Sequence, residues 1–177
     1  YALHCLLWLA AAGDDKPSSR DLAALQGVPP AYLAKIFPKL EKVGLVTASE
    51  GIRGGYQLAR PADAITVLDV VDAVEGHKPI FDCQDIRARC ALFDGDAPAW
   101  ATAGTCGIHA VMIRAERAMR AELARSTLTD LAFGAARRMP PAFPDAVQGW
   151  FADRKTSRTQ AQIASVKRRS GLCNSSP

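Results

Sequence analysis

The residues of this 177-residue chain with the widest chemical reach are its five cysteines and three histidines. Cys83, Cys90 and Cys106 lie within or at the edge of a single stretch, and His109 follows Cys106 by one helical turn. A helix starting there places Cys106 and His109 on one face, as a pair of metal ligands requires. Deprotonated sulfur is a soft, strongly donating ligand that selects iron–sulfur clusters, zinc or copper. The Cys-x-x-Cys knuckle of the standard zinc spacings is missing. Spacing alone therefore leaves a metal centre, reactive thiols and plain burial all open. A thiol enzyme using Cys90 or Cys106 with His109 would need a substrate pocket and an orienting third group, and neither is recognisable, so no catalytic residue is assigned. An odd cysteine count at irregular spacing also argues against a disulfide framework.

A second group of residues has the chemistry of nucleic-acid contact. Ser18 and Asp21 have the form of a capping box opening a short helix over Ser19 to Leu25. Gly27, Val28, Pro29 and Pro30 make a turn, and Ala31 to Val43 carries Tyr32, Leu33, Ile36, Phe37 and Leu40 at helical spacing. Two short helices joined by a tight turn form a helix-turn-helix, with Pro38 expected to kink or shorten the second. Two short extended runs, Leu45 to Thr47 and Tyr56 to Leu58, flank a Gly-rich turn and read as a hairpin, the wing. The second helix of such a unit lies in the major groove. Tyr32, Lys35 and Lys39 are the candidate base readers, and Arg53 on the wing reaches the backbone or minor groove. Ser19, Pro30, Ala31, Gly54, Gly55 and Tyr56 complete the candidate DNA-contacting set. Duplex DNA is the partner this set implies.

The remaining elements position these two groups. Residues 1–12 carry Leu3, Leu6, Leu7 and Ala10 at helical spacing before Gly13. This run is too short to span a bilayer and lacks a basic leader, so it reads as a buried helix of a cytoplasmic protein with no membrane partner. The first residue is Tyr1 rather than Met, so residues upstream of it are expected in the natural protein. Thr66 and Asp69 open a helix that ends at Gly76. Periodicity then vanishes until Gly104, an unusually long unpatterned stretch that suggests a dedicated role. From Thr105 a helix of about twenty residues carries Ile108, Val111, Met112, Ala115, Ala118, Met119 and Leu123 on one stripe, wide enough for a subunit interface and hence a homodimer. Thr127 and Asp130 open a last short helix, after which Pro140, Pro141 and Pro144 break regularity.

The net charge is +4, yet residues 153–177 hold six basic side chains and one acidic, so the remainder is about minus one. That tail reads as a solvated, partly disordered extension. The expected architecture is mainly α: a winged helix-turn-helix over 1–76, a cysteine-bearing sensor loop over 77–105, a dimerisation helix with its short follower over 106–131, and a C-terminal extension over 132–177.

The segments YALHCLLWLAA (1–11), VPPAYLAKIFPK (28–39), GLVTASEGIRGGYQLARP (44–61), ITVLDVVDAVEG (65–76) and STLTDL (126–131) together resemble the Rrf-two family of winged-helix regulators, which includes iron–sulfur and nitric oxide sensors of the IscR, NsrR and RirA type. The resemblance implies a homodimer paired through the helix after Thr105, with a cluster near the interface whose loss or redox change alters the spacing of the two recognition helices. The cysteine gaps depart from the three-cysteine sensors, and only Cys106 with His109 fits their pattern. The segment Phe81 to Arg87 and the pair His4, Cys5 instead resemble the redox-sensing branch typified by RsrR. That template implies a two-iron two-sulfur cluster held by Cys83 and Cys106, by His4 of the second subunit, and by a carboxylate ahead of Tyr1. Cys90 and His109 are then spare or alternative ligands, Cys5 is buried and Cys173 is a tail thiol. Where some relatives carry a basic wing residue this chain has Glu50, for which Arg53 is the substitute. The alternative within the family is a cluster-free member that senses by cysteine oxidation or by binding a partner protein.

Overall fold

The computed structural model describes residues 1–13, 15–49, 51 and 54–169, with the backbone only at 167 and 169. Helix α1 (Ala2–Ala11) is the central support, since Cys5, Leu6 and Leu9 on it are buried. Helix α2 (Ser19–Gln26) begins where expected, because the Asp21 amide donates to Ser18 Oγ at 3.2 Å while the Ser18 amide donates to the Asp21 carboxylate at 3.0 Å. Gly27 closes it at φ 67°, a left-handed value that glycine adopts without Cβ strain.

Helix α3 (Pro30–Lys42) starts on a proline, whose missing N–H costs nothing at the first helical position. Leu33, Ile36, Phe37 and Leu40 bury its inner face. Pro38 does not shorten it as expected. The ring lies on the exposed face, and Phe37 and Leu40 on either side hold the helix to the core through the lost hydrogen bond. Strands β1 (Val46–Ser49) and β2 (Gly55–Leu58) pair antiparallel, with Val46 opposite Leu58 and Ser49 opposite Gly55. The other edge of β2 is tied to the segment before α2, where the Tyr56 amide donates to the Pro17 carbonyl at 2.9 Å.

Helix α4 (Val67–Glu75) is capped by Thr66 and Asp69 and ends at Gly76. The unpatterned stretch contains only 3-10 turns at Ile86–Arg89 and Ala91–Phe93 and a one-turn helix α5 (Ala99–Thr102). Helix α6 (Gly107–Arg125) follows, and none of its residues is buried within one chain. The chain then returns to its point of departure. Thr66 and Thr127 form an antiparallel bridge, flanked by Val67 N–H to Ser126 carbonyl at 2.8 Å and Leu128 N–H to Ile65 carbonyl at 2.9 Å. Helix α7 (Leu128–Ala136) carries a third capping box, Thr127 with Asp130.

The C-terminal region corrects the sequence expectation. Residues 143–169 are not a solvated extension but a 27-residue helix, α8 (Phe143–Arg169). Val147 and Phe151, one turn apart, are 3% and 2% exposed and belong to the same core as α1 and α3. Burying a Phe side chain stabilises by about 2–3 kcal/mol, enough to seat the start of a polar helix. Lys155 then pairs with Asp15 at 2.7 Å and Arg158 with Asp21 at 2.9 Å. Phe143 and Trp150 share the helical spacing of the two anchors, and Trp150 packs on the same core, while Pro140, Pro141 and Pro144 mask the pattern in the sequence. The tail beyond residue 169, including Cys173, lies outside the described residues.

Candidate nucleic-acid interface and cysteine loop

The outer face of α3 presents Pro30, Ala31, Tyr32, Lys35 and Lys39, all exposed. The three candidate base readers differ in what holds them. Lys35 makes no hydrogen bond or ion pair among the described residues. Tyr32 stands edge-on to Tyr1 at a centroid distance of 5.3 Å and shares a small cavity with Val70, Val71 and Val74, so it leans toward α1 and α4. Lys39 Nζ donates to the Val74 carbonyl at 2.6 Å, placing a cation at the C-terminal end of α4 where the helix dipole favours it. Of the three candidates, Lys35 is thus the one whose ammonium is not tied to another described residue.

On the wing, Gly55 serves packing. A Cβ there would collide with the backbone carbonyl of Lys16, so only glycine permits β2 to lie against the segment before α2. Tyr56 turns its ring onto Phe37 at 4.5 Å, and burial, followed by the nearby Glu41 carboxylate, raises its phenol pKa. Gly54 donates its amide to the Gly51 carbonyl at 2.9 Å within the hairpin turn. Glu50 and Arg53 lie outside the described residues. Ser19 is the first residue of α2, half-buried beside α8.

The cysteine loop is organised by a residue that the sequence patterns do not single out. Arg87 donates through Nε and Nη2 to Asp85 at 2.7 and 2.9 Å, and through Nη1 and Nη2 to the carbonyls of Ala103 and Gly104 at 3.2 and 3.0 Å. One guanidinium therefore staples residues 85–87 to the turn that leads into α6. Cys106 is the N-cap of α6, although its side chain makes no capping hydrogen bond. The nearby amides of His109 and Ile108, with the Arg87 charge behind them, lower its pKa below the ordinary value. Cys83 also lies within the field of Arg87. The Phe81 ring meets His109 at 6.2 Å. Asp85 is held more acidic than usual, first by its hydrogen bond from Arg87 and further by His109. The only signal for Arg87 in the sequence is the acid two residues ahead of it, Asp85.

Cys83, Cys106 and His109 thus gather around the Asp85–Arg87 pair, whereas Cys90 is exposed between the two 3-10 turns. His4 is elsewhere in the chain. It lines a cavity of about 400 Å³ with Leu7, Trp8, Ala135, Met139 and Val147. Cys5, one residue on, is fully buried, and desolvation pushes its thiol up to about 11. Among the described residues no three His, Cys, Asp or Glu side chains converge as a metal site would require. No helix among them is long and apolar enough to cross a membrane.

A helix-turn-helix with a two-stranded wing, in a mainly helical chain, defines a winged-helix protein. Residues 1–133 match the profile of the Rrf2 family, described as iron-dependent transcriptional regulators. A putative HTH-type transcriptional regulator of Mycobacterium tuberculosis is 35% identical over 136 residues, 76% of this chain and 78% of that one. The regulator IscR of Cereibacter sphaeroides is 41% identical over 78 residues, covering 42% of this chain and 50% of its own. Among solved structures, T. potens IscR superposes with a TM-score of 0.59 at 25% identity, over 81% of this chain and 89% of that one. CymR, described as the global cysteine regulator of B. subtilis, gives 0.55 at 26% identity over 75% and 90%. The chain belongs to the Rrf2 family of transcriptional regulators and is not an enzyme.

Proposed function

We propose that this regulator is a homodimer that binds operator DNA through α3 and the wing and senses redox state, nitric oxide or iron–sulfur status through the cysteine loop. The supporting observation is that Cys83 and Cys106 both lie within the field of Arg87, with Cys106 at the N-terminus of a 19-residue helix. A positive charge and helix amides favour the thiolate of Cys106, the form a metal centre binds. Two thiols are an incomplete set for a cluster, so the remaining ligands must come from outside this arrangement. Ile108, Val111 and Met119 on α6 are 68%, 52% and 45% exposed in one chain. That stripe is the natural surface for a second copy, which would supply His4. Cys83, Cys106 and the second copy's His4 would then hold a two-iron two-sulfur cluster, with Cys90 and His109 as spare ligands. Such a cluster supplies a one-electron couple, and Arg87 fixes the loop that carries its thiolates.

On this reading residues 1–76 form the DNA-binding unit, 77–105 the sensor loop, and α6 the dimer helix, in a protein that acts in the cytoplasm. Arg120 joins sensor to reader. Its guanidinium makes a two-pronged ion pair from α6 to Asp72 of α4 at 2.8 and 2.7 Å, and the end of α4 is in turn held by Lys39 of α3. This is a contiguous path by which a shift of α6 biases the recognition helix.

The similarity to CymR favours a second reading, a cluster-free regulator that responds through thiol oxidation or a partner protein. Anaerobic purification with a visible spectrum and iron and sulfide counts separates the two. A brown protein, bleached by C83A and by C106A but not by C90A, supports the cluster. Bleaching by C90A as well would favour three-cysteine ligation. A full-length protein that stays colourless after reconstitution with iron and sulfide would eliminate the cluster and leave the DNA-binding role intact.

A further inference from the structure

Helix α8 lies beyond the residues matched to the family, yet it docks on the DNA-binding unit beside α2. Between them runs a groove of about 590 Å³ lined by Ser18, Ser19, Arg20, Arg154, Ser157 and Arg158. Three guanidinium groups face one carboxylate there, that of Asp21, which already pairs with Arg158 and accepts from Ser18. Arg20 and Arg154 make no ion pair with any described residue, and Arg154 is held over the Trp150 ring at 4.8 Å. The charge of the groove is therefore oriented but not neutralised. The groove lies on elements that adjoin the recognition helix and the wing. Helix α2 packs on α3, and the segment ahead of it is hydrogen-bonded to strand β2 of the wing. In a helix-turn-helix the first helix crosses the sugar–phosphate backbone when the second enters the major groove.

We infer that α8 is an added DNA-contacting element, in which Arg154 joins Arg20 to bind the phosphate backbone flanking the site read by α3. The inference rests on the winged-helix reading of α3. Charge complementarity selects a polyanion, and adjacency to the recognition helix selects the same duplex rather than a separate partner. Serine hydroxyls along the groove suit phosphate oxygens, and the contacts carry no base information, so they add affinity without altering sequence preference.

The test is fluorescence anisotropy over a series of salt concentrations, comparing wild type, R20Q/R154Q and K35A. Each is titrated with an operator selected from a random pool and with a random duplex of about three helical turns. Counterion release predicts a slope of log K against log salt shallower by about 0.9 for each phosphate that the variant no longer neutralises. R20Q/R154Q should therefore flatten the slope by nearly two units and weaken both duplexes by the same factor, leaving the operator preference unchanged. K35A should instead reduce the preference. The anchors Val147 and Phe151 are untouched, and an unchanged circular dichroism spectrum verifies that α8 remains folded. An unchanged slope in R20Q/R154Q, or tighter binding, would overturn the role of α8 while the loss of preference in K35A upheld the recognition helix. A wild-type protein that bound neither duplex would overturn both.

Discussion

The cysteines should separate sharply in reactivity, because alkylating reagents attack the thiolate. Cys5 is fully buried, and its pKa is raised from 9.0 to about 11. At about pH 8 an ordinary thiol is roughly one-tenth ionised, whereas one titrating near 11 is ionised to about one part in a thousand. Ionisation alone slows Cys5 by ~100-fold, and its burial adds the requirement that the core open first. Cys106 moves the other way, since helix amides and Arg87 favour its anion. Timed iodoacetamide labelling with peptide mass spectrometry, on metal-free protein, should find Cys106 fast, the exposed Cys90 intermediate, and Cys5 labelled only as urea unfolds the domain. The same shift fixes the sign of an alkaline effect. The native fold retains the Cys5 proton that the unfolded chain loses, so this stabilisation is complete below pH 9.0 and declines as pH rises toward about 11. The decline is at most about 1.4 kcal/mol per pH unit, and Cys5→Ala should remove it. Native labelling of Cys5 within tenfold of Cys90 would refute the reasoning.

Phe151→Ala should cost about 3–5 kcal/mol, either globally or as release of α8, and urea melts with hydrogen exchange distinguish the two. An unchanged midpoint with α8 amides still protected would show that Phe151 is not an anchor. Gly55→Ala should displace the wing from the 16–17 segment, visible as lost protection of the Tyr56 amide, because the obstruction is backbone and cannot rotate away. Arg120→Ala should shrink the difference in operator affinity between the loaded and metal-free forms by cutting the link from α6 to Asp72. A difference equal to wild type would place the coupling elsewhere.

The winged helix and the helices that follow it are legible where their signals are local. Ser18–Asp21, Thr66–Asp69 and Thr127–Asp130 satisfy amides three residues away, and each opens a helix where the spacing predicts. What the sequence could not disclose depends on distant partners. Lys39 and Lys35 look equivalent along the chain, but only Lys39 reaches the Val74 carbonyl, 35 positions away. The packing demand on Gly55 becomes visible only once the Lys16 backbone is seen beside it. Arg87 gains its role from carbonyls 16 and 17 residues downstream. Phe143, Val147, Trp150 and Phe151 of α8 do recur at helical spacing, but Pro140, Pro141 and Pro144 and the charged run that follows obscure that signal along the chain.

The bridge between Thr66 and Thr127 has a consequence for how such a regulator diversifies. Everything between α4 and α7 departs from and returns to one hydrogen-bonded clasp, so this stretch behaves as a cassette. Lengthening a flexible loop adds a closure cost that grows only with the logarithm of its length, about 0.6 kcal/mol per doubling. Insertions, deletions or a different set of ligands can therefore be tried within the cassette at little expense to the DNA-binding core. What must be kept is the clasp and the Asp72–Arg120 ion pair that ties α6 to α4.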